Sequence, residues 1–518
     1  MLRRYTLRIK NNKSKHFTKS KKYISLIEKS FVYEVASVTP ITEAINLSKK
    51  TGNKVCLKRE DLQPIFSFKN RGSYNKIKHL KNTEKEKGVI AASAGNHAQG
   101  VASACQKLKI KCLIVMPETT PEIKIKAVKG FKASVILHGD NYDQALAHAK
   151  KLCKKENRTF IDPFDDPYTI AGQGTVGKEI LDSGMDFDAI FVPVGGGGLL
   201  AGISAWISQK NKKTKIFGVE VDDSACLAAA MQAGKRVRLK SIGIFADGVA
   251  VAQVGKHNLE VIKECIDEVI TVSIDEVCAG VKDIFEDTRV LSEPAGAVAV
   301  AGLKKYAARA KNKNLLAISS GANLNFDRIS YIAERSELGE ESEKILSIQI
   351  PEKSGSFLRL CKIFGKSQIT EFNYRMSDST IAQVLVGIKI KDLKTFTGLK
   401  ERLTTKKFKF KDLTKNDISN DHLRYMVGGR KISTNNERLF RGEFPERPGA
   451  LLDFLESLGN KWNISLFHYR NLGSAFGKVL VGIEDNSANN KKLLKHLHKT
   501  GYNFSEETNN IAYKQYLK

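Results

Sequence analysis

A lysine near the start of a predicted helix is the first residue whose type and position indicate chemistry. Ser67 can cap a helix that begins at Phe68, which places Lys69 in the first helical turn. The positive end of the helix dipole disfavours a protonated ammonium there, so the position suits a neutral, nucleophilic amine of the Schiff-base type. An ordinary solvated lysine is the alternative, and the position alone does not decide between them.

A turn of small residues is a second candidate, in this case for binding an anion. It follows the predicted strand Val89 to Ala92, opens a helix and consists of Ser93, Ala94, Gly95, Asn96 and His97. Backbone N–H groups at the start of a helix bind carboxylates or phosphates. An ordinary strand-to-helix turn has the same pattern, and His97 taken alone is more typical of a packed histidine than of a catalyst.

Four consecutive glycines form the strongest single pattern. The predicted buried strand Phe187 to Val194 ends in Gly195 to Gly198 and then in a helix, an arrangement whose backbone amides can cradle a phosphate. The glycines lack the G-x-G-x-x-G spacing of dinucleotide sites, so they favour a small phosphorylated cofactor over NAD; a flexible loop is the alternative. In Leu315 to Asn323, a similar segment, the hydroxyl of Ser320 could face a ligand or serve as a local cap.

The elements that must position these residues alternate between about residues 54 and 325. Short β-rich runs alternate with helix-length segments, a pattern that predicts parallel sheets covered by helices and therefore an α/β fold. The predicted strands are Lys54 to Lys58, Val89 to Ala92, Cys112 to Met116, Ser134 to Leu137, Phe187 to Val194, Ile216 to Val221 and Leu315 to Ile318.

Beyond residue 340 the chain repeats itself. Leu346 to Arg375 and Leu439 to Arg470 agree in register, with one single-residue insertion, at nine positions. Each copy runs strand, glycine turn, amphipathic helix, glycine and strand, which predicts two related α+β modules of roughly 70 residues. A duplicated oligomerisation domain and a ligand sensor are both compatible with this spacing. The matching pairs are Pro351/Pro445, Glu352/Glu446, Gly355/Gly449, Leu358/Leu452, Gly365/Gly459, Ile369/Ile464, Phe372/Phe467, Tyr374/Tyr469 and Arg375/Arg470.

Composition excludes several classes of protein. The chain has 518 residues, enough for several domains, of which 42% are hydrophobic and 27% charged, as in globular proteins. No apolar run approaches the roughly 18 residues that a membrane span needs. The net charge of +29 would suit a nucleic-acid partner if it were concentrated, but lysines recur along the whole chain. We therefore predict a compositional bias and neither a nucleic-acid nor a membrane partner.

The N-terminus and the cysteines bear on the compartment. The first 30 residues hold ten Lys or Arg and one acid, Glu28, which makes a transit peptide one interpretation. The segment has no clear apolar stripe, so a solvated basic tail is the prediction. Eight cysteines form no C-x-x-C pair and most stand in apolar runs, which predicts buried thiols without disulfides or a metal site. We therefore expect a cytoplasmic protein.

The motifs, taken together and in order, resemble those of the fold-type II pyridoxal-phosphate enzymes, and most closely those of the biosynthetic threonine dehydratases. The similarity runs from about residue 35 to the end of the chain. Asn70 and Ser73 depart from the hydrophobic residue and the alanine that are usual there, and neither position has an assigned role. The family's SFK-x-RG, SAGNHAQG, glycine-loop and SGAN motifs correspond to Ser67 to Gly72, Ser93 to Gly100, Gly195 to Leu199 and Ser320 to Asn323.

This resemblance implies a role for each motif. Lys69 would form the Schiff-base link to pyridoxal 5'-phosphate, Asn96 would hydrogen-bond the phenolic oxygen, and Ser320 would face the pyridine nitrogen. A hydroxyl cannot force protonation of that nitrogen as a carboxylate would, which favours rapid expulsion of a β-substituent. The phosphate would be bound by Gly195, Gly196, Gly197, Gly198 and Leu199, and the substrate carboxylate by Ser93, Ala94, Gly95, Asn96 and His97.

The same resemblance implies a reaction and its regulation. Threonine would lose its Cα proton to Lys69 and then its β-hydroxyl, and hydrolysis would give 2-oxobutanoate and ammonia, the first step of isoleucine biosynthesis. The repeat resembles the ACT-like regulatory pair of such lyases, which implies an allosteric homotetramer inhibited by isoleucine and activated by valine. A catabolic serine/threonine dehydratase or a racemase, both of which lack that pair, is the alternative.

The predicted organisation therefore has four parts. A basic tail at 1–34 precedes a catalytic domain at 35–335, which comprises two subdomains with parallel sheets. Two ACT-like regulatory modules follow, at 344–416 and 438–509.

Overall fold

The structure is a computed structural model that divides into two compact units, Met1–Ser336 and Glu337–Lys518. It describes residues 6–8, 18–340, 342–351, 356–364, 369–376, 381–390, 392–423, 437–445, 463–470, 476–484, 490–499 and 502–517. No helix in these ranges is both long enough and apolar enough to cross a membrane.

The first unit is built on two sheets. The larger sheet has the order β1-β10-β9-β8-β11-β3-β2, with its two edge strands antiparallel, and the smaller has the order β6-β5-β4-β7 and is parallel. The strands are β1 (Thr6–Arg8), β2 (Ile41–Glu43), β3 (Lys54–Arg59), β4 (Val89–Ala92), β5 (Cys112–Met116), β6 (Ser134–Leu137), β7 (Thr159–Phe160), β8 (Ala189–Pro193), β9 (Lys215–Val221), β10 (Glu268–Val272) and β11 (Asn314–Ser319).

Helices connect these strands and cover both sheets, as parallel connections require. They are α1 (Thr18–Glu28), α2 (Ile45–Thr51), α3 (Lys69–Lys78), α4 (Asn82–Lys87), α5 (Asn96–Leu108), α6 (Glu122–Gly130), α7 (Tyr142–Lys155), α8 (Pro167–Asp182), α9 (Gly198–Lys210), α10 (Cys226–Ala233), α11 (Lys256–Cys265), α12 (Ile274–Thr288), α13 (Pro294–Ala307) and α14 (Ile329–Gly339).

All seven predicted strands are present, and none differs from its predicted bounds by more than two residues. The α/β prediction is therefore confirmed for this unit. Sequence reasoning missed β1, β2, β7 and β10. Three of these are only two or three residues long, too short for a periodic pattern to identify.

The solvated tail expected at the N-terminus is wrong for residues 18–28. Helix α1 buries Ser20, Tyr23 and Ile27 on one face, at the helical spacing of three and four residues. The Glu264 carboxylate accepts hydrogen bonds from the backbone N–H groups of Lys19 and Ser20, which satisfies the open N-terminus of the helix. The lysines on the opposite face obscured this pattern in the sequence.

A buried ionic network anchors α3, the helix that begins with Lys69. Arg71 donates to both oxygens of Glu60 at 2.7 and 2.8 Å, and to Glu179 on α8 at 2.5 Å. Lys58 on β3 donates to the same Glu179 at 2.6 Å. These side chains are at most 3% exposed, so removing one partner would leave an uncompensated buried charge. The network therefore ties α3 to β3 and α8.

The second unit contains two copies of one topology. The sheets have the orders β13-β14-β12-β15 and β17-β18-β16-β19, and both are antiparallel. The elements are β12 (Glu343–Pro351), α15 (Ser356–Phe364), β13 (Ile369–Met376), β14 (Ile381–Lys389), α16 (Leu393–Thr405), β15 (Lys409–Asp412), α17 (Asp417–Asp421), β16 (Glu437–Pro445), β17 (Asn463–Arg470), β18 (Phe476–Glu484), α19 (Asn490–Lys499), β19 (Phe504–Glu506) and α20 (Ile511–Tyr516).

The repeat seen in the sequence corresponds to this duplication. Pro351 and Pro445 end equivalent first strands, and the equivalent strands β13 and β17 each carry an irregularity immediately after Ile369 and Ile464. The predicted α+β modules are therefore confirmed. Glu352, Gly355, Gly365, Glu446, Gly449, Leu452 and Gly459 lie outside the described residues.

The two modules share a core within the second unit. Ile345 and Leu385 of the first module belong to one buried cluster with Leu439 and Leu480 of the second. Tyr513 on α20 donates to Glu437 at 2.5 Å, and Tyr516 donates to the Val384 carbonyl at 3.1 Å. The C-terminal helix therefore contacts both sheets.

Close packing of α8 against α9 supplies a test of the fold. An ideal Cβ on Gly202 would lie 2.5 Å from the Ile170 carbonyl oxygen and 2.6 Å from the Gly174 nitrogen. We expect Gly202→Ala to lower the free energy of unfolding by about 1–3 kcal/mol, because the helices would have to separate. Denaturant unfolding followed by circular dichroism measures the change. Gly130→Ala is the control, since its Cβ would meet nothing within 4 Å; equal midpoints for the two variants would contradict the prediction.

Candidate active site

The candidate residues follow the carboxyl ends of parallel strands. β8, β11 and β3 are neighbours in the larger sheet, so the glycine loop, Ser320 and the chain leading to Lys69 emerge side by side. The turn beginning at Ser93 follows β4 of the smaller sheet. Ligands of open α/β sheets bind at this edge.

A short backbone pairing holds two of these segments together. Phe68 N donates to the Ser320 carbonyl at 3.3 Å, and Ala322 N donates to the Phe66 carbonyl at 2.9 Å. Phe66 has a φ of 56°, which is unusual for an aromatic residue and is retained only where the surrounding structure requires it. The start of α3 and the end of β11 are therefore held in register.

Lys69 is the first residue of α3, one residue later than Phe68, the predicted start of the helix. Its Nζ donates to the Pro163 carbonyl at 3.1 Å. Burial lowers the pKa of Lys69 to about 8, although the charges of Asp162 and Glu293 act to raise it. About half of this amine is therefore neutral near pH 8, far more than for an ordinary lysine, as a nucleophile or general base requires.

The glycine loop is shaped by contacts on both of its sides. An ideal Cβ on Gly196 would lie 2.2 Å from the Phe164 ring, so no side chain fits there. Gly197 has a φ of 92° and precedes α9 as its N-cap. The Gly196 carbonyl accepts from Gly255 N at 3.0 Å and from Asn258 Nδ2 at 2.7 Å. These two bonds hold the Gly196 carbonyl in place, and helix α9 begins at Gly198. The backbone N–H groups of the loop are therefore suited to bind a phosphate.

Two predicted cofactor residues contribute in restricted ways. Leu199 is 4% exposed and belongs to the hydrophobic core, so only its backbone N–H is suited to bind an anion. Ser320 is buried, and its hydroxyl donates to the Ala295 carbonyl at 3.3 Å. A hydroxyl has one hydrogen and rotates readily, so this group can donate to a ligand in place of the Ala295 carbonyl.

The turn after β4 is open toward the site. Gly95 N donates to Ser93 Oγ at 3.1 Å, and helix α5 then begins at Asn96. An ideal Cβ on Gly95 would meet nothing within 4 Å. The first turn of a helix leaves its backbone N–H groups without partners in the helix, so this open turn can accept a carboxylate.

His97 is a packed residue. It is 4% exposed, and its Nε2 donates to the Ile161 carbonyl at 3.0 Å, so Nδ1 is the nitrogen that accepts from Ser73 at 3.4 Å. Burial, with a smaller contribution from the charge of Lys69, lowers the pKa of His97 to about 3. The side chain stays neutral at physiological pH. Ser73, which departs from the alanine usual in the family, thus contacts the predicted substrate turn.

Several residues that support the site had no predicted role, and one of them, Asn323, lies at the end of a predicted motif. Glu293 accepts from Asn96 Nδ2 at 2.6 Å, and Asn323 donates to Asn96 Oδ1 at 2.7 Å. Phe164 and Asn258 shape the glycine loop. The one local signal was a Glu-Pro pair before a small-residue helix, which marks Glu293 as an N-cap position. Within the described ranges, no group of three His, Cys, Asp or Glu is arranged to hold a metal ion.

Comparison with known proteins identifies the class. The family described as pyridoxal-phosphate dependent enzyme matches residues 32–321, and the C-terminal regulatory domain of threonine dehydratase matches residues 334–423 and 428–517. The chain is therefore a pyridoxal-phosphate-dependent enzyme with a duplicated regulatory region. Within that class it belongs to the family of biosynthetic threonine dehydratases.

Relatives and solved structures support this assignment. The biosynthetic L-threonine dehydratase of Burkholderia multivorans is 47% identical over 96% of this chain and 99% of its own length, and that of Escherichia coli is 45% identical over 96% and 97%. The processed form of threonine deaminase isoform 2 from Solanum lycopersicum is 44% identical, with a TM-score of 0.61 over 62% of this chain and 89% of its own. Serine racemase from Dictyostelium discoideum is 30% identical, with a TM-score of 0.54 over 60% and 99%.

The residues of the site fit pyridoxal phosphate. A partly buried amine with a lowered pKa suits the cofactor's aldehyde, and a glycine loop that admits no Cβ at Gly196 suits its phosphate. The amide of Asn96 and the hydroxyl of Ser320 suit the polar atoms of its ring.

The lowered pKa of Lys69 supplies a test. The rate at which the cofactor-free protein takes up pyridoxal phosphate should rise with pH and level off above about 8, because only the neutral amine reacts. An ordinary lysine, with a pKa of 10.5, would show a continuing rise. Stopped-flow absorbance between pH 6 and 10 measures the rate. A rate still climbing at the upper end would contradict the assigned environment.

Proposed function

We propose that this chain is a threonine ammonia-lyase that converts L-threonine to 2-oxobutanoate and ammonia, the first step of isoleucine biosynthesis. The observation that carries the proposal is the union, in one chain, of the Lys69 site with the duplicated regulatory unit. Relatives named biosynthetic L-threonine dehydratase are 45% and 47% identical over 96% of the chain, which spans both units.

Each motif would hold one part of the cofactor. Lys69 would bind the cofactor covalently through Nζ, and the backbone amides of Gly195 to Leu199 would bind its phosphate. The amide of Asn96 would donate to the phenolic oxygen, and Ser320 would donate to the ring nitrogen. Because a hydroxyl carries no charge, Ser320 would not keep that nitrogen protonated, which favours elimination over slower alternatives.

The protein would bind the substrate and move one proton. The turn from Ser93 to His97 would hold the carboxylate of threonine through backbone N–H groups. Bound pyridoxal phosphate supplies an electron sink for the pair left when the Cα–H bond breaks. When the amino group of threonine replaces Lys69 Nζ on the cofactor, the freed neutral amine of Lys69 would accept that proton as general base. The β-hydroxyl of threonine would then depart and take up a proton, so that one water is lost, and hydrolysis of the released imine would give 2-oxobutanoate and ammonia.

A serine racemase or a catabolic dehydratase is the second candidate, because the catalytic unit is similar to a serine racemase at a TM-score of 0.54. The regulatory match over 334–423 and 428–517 favours the biosynthetic enzyme. Product analysis separates a racemase, which would return D-amino acid, and the response to isoleucine separates a catabolic dehydratase, which would lack the regulatory unit.

The second unit would sense amino acids. We infer that isoleucine inhibits and valine activates the enzyme, and that the enzyme is a homotetramer. The common core of the two modules supports a coupled response, because Tyr513 and Tyr516 on one helix bond to Glu437 and Val384 on different sheets. A ligand that alters one sheet would then affect the other.

We place the reaction in the cytoplasm. The support is chemical: seven cysteines in the described ranges are free, and six of them are buried, as suits a reducing compartment.

Replacement of the lysine tests the proposed activity. We expect Lys69→Ala to lower threonine turnover by at least about a hundredfold, through loss of the general base, while retaining noncovalent cofactor binding in the glycine loop. Coupled detection of 2-oxobutanoate measures turnover, and equilibrium dialysis measures the cofactor. Lys126→Ala, at a side chain that is 72% exposed, is the matched control. Appreciable threonine deamination by Lys69→Ala would refute the assignment.

Removal of the second unit tests the proposed regulation. A chain that ends after Gly339, the last residue of α14, keeps all the site residues. It should dehydrate threonine without inhibition by isoleucine, because an effector can act only through different affinities for two states. Threonine saturation with and without isoleucine, for the truncated and full chains, measures this. Inhibition that persists in the truncated enzyme would mean that the repeat is structural.

A further inference from the structure

The carboxamide of Asn96 is held at both of its ends. Its Nδ2 donates to Glu293 Oε1 at 2.6 Å, and its Oδ1 accepts from Asn323 Nδ2 at 2.7 Å. An amide nitrogen carries two hydrogens, and Glu293 takes one of them. The second Nδ2 hydrogen of Asn96 makes no hydrogen bond within the described residues and is available to a ligand.

The orientation of this amide follows from the chemistry of its neighbours. Asn323 Nδ2 also donates to the Ile65 carbonyl at 2.8 Å, and a carbonyl can only accept. Both hydrogens of Asn323 are then used, one on Ile65 and one on Asn96, so the Asn96 atom facing Asn323 must be its oxygen. The Glu293 carboxylate, an acceptor when ionised, requires the nitrogen of Asn96 at the other end. The contacts at the two ends of the Asn96 carboxamide therefore assign it the same orientation independently.

The partners come from separate elements that converge on Asn96. Asn96 opens α5, whereas Glu293 precedes α13 and Asn323 follows β11. Ile65 lies between β3 and α3. The Asn96 side chain therefore lies on a segment that follows the smaller sheet and contacts segments that follow the larger sheet. Its orientation depends on how the two sheets are positioned relative to each other.

Helix capping does not account for Glu293. The residue occupies the N-cap position of α13 and is 4% exposed, yet its side chain makes no capping hydrogen bond to that helix. Burial raises the pKa of Glu293 to about 7, and the charge of Asp247 adds to the effect. A carboxyl group is costly to bury; the positive charge of Lys124 offsets part of that cost, and the hydrogen bond from Asn96 offsets a further part.

We propose that Glu293 and Asn323 are positioning residues that orient Asn96 so that its free Nδ2 hydrogen points to the phenolic oxygen of the bound cofactor. The inference rests on the proposed placement of the cofactor. Loss of this orientation would turn an oxygen, rather than a hydrogen, toward the phenolic oxygen. The protonation of the cofactor would then change even where the protein stays folded.

The test uses the full-length, cofactor-loaded protein without substrate. Asn323→Asp replaces a donor with an acceptor, so the Asn96 amide should turn round. We expect the pH midpoint of the visible cofactor spectrum to rise by about one unit, the value of one charge-assisted hydrogen bond. Glu293→Gln keeps an acceptor for Nδ2 and should leave the midpoint near that of wild type. Asn211→Asp is the charge-matched control, since Asn211 already acts as an acceptor, for Lys213 N.

A double variant separates orientation from stability. In Asn323→Asp alone, the turned amide would place its oxygen against the Glu293 carboxylate. Adding Glu293→Gln should relieve that repulsion and restore cofactor affinity without restoring the spectral midpoint. A purely structural role predicts that the midpoint and the affinity recover together.

Three outcomes would overturn the inference. They are an unchanged midpoint in cofactor-loaded Asn323→Asp, a midpoint shift in the Asn211→Asp control of equal size, and recovery of the midpoint in the double variant. If Asn323→Asp fails to fold, the double variant and Asn323→Ala decide, because each should shift the midpoint in the same direction. Wild-type protein without cofactor absorbance would instead refute the proposed function itself, and the inference with it.

Discussion

The site depends on one short pairing of backbone segments. Residues 66–68, which lead into α3, bond to residues 320–322, which end β11, and this pairing holds Lys69 and Ser320 in register. The left-handed backbone at Phe66 is part of that pairing. The buried network around Arg71 fixes the other side of α3, so the helix start can move toward neither the sheet nor α8.

Burial is the main influence on the ionisable groups of the site. It lowers the pKa of Lys69 to about 8 and that of His97 to about 3, and it raises that of Glu293 to about 7. One physical effect therefore yields an available base, a neutral packed imidazole and a carboxyl group close to its titration point. Their roles differ because their contacts differ. Lys69 lies at the candidate cofactor site, His97 donates to a backbone carbonyl, and Glu293 accepts a hydrogen bond from a side-chain amide.

The candidate active site and the region that matches a regulatory domain lie in different parts of the chain. Every residue assigned to the site precedes residue 325, and the duplicated sheets begin at Glu343. Duplication gives the second unit two equivalent sheets. The buried cluster that includes Leu439 and Tyr513 contains residues of both modules, so the two sheets pack together and are not separate domains. A regulatory unit of this kind can change the activity of a complete catalytic unit without contributing a residue to it.

The sequence by itself determined seven of the eleven strands described in the first unit, the order of the four motifs and the repeat, because each is a local pattern of periodicity or of small residues at a strand end. The tertiary structure alone decided which side chains support those motifs. Glu293 lies 197 positions from Asn96, and Asn258 lies 62 from Gly196, so neither hydrogen bond leaves a local pattern. The packed state of α1 was likewise decided by contacts with α8, α9 and α11, all of which are distant from it in sequence. Local sequence patterns identify the reacting groups, whereas contacts between residues distant in sequence determine the orientation of their side chains and their protonation states.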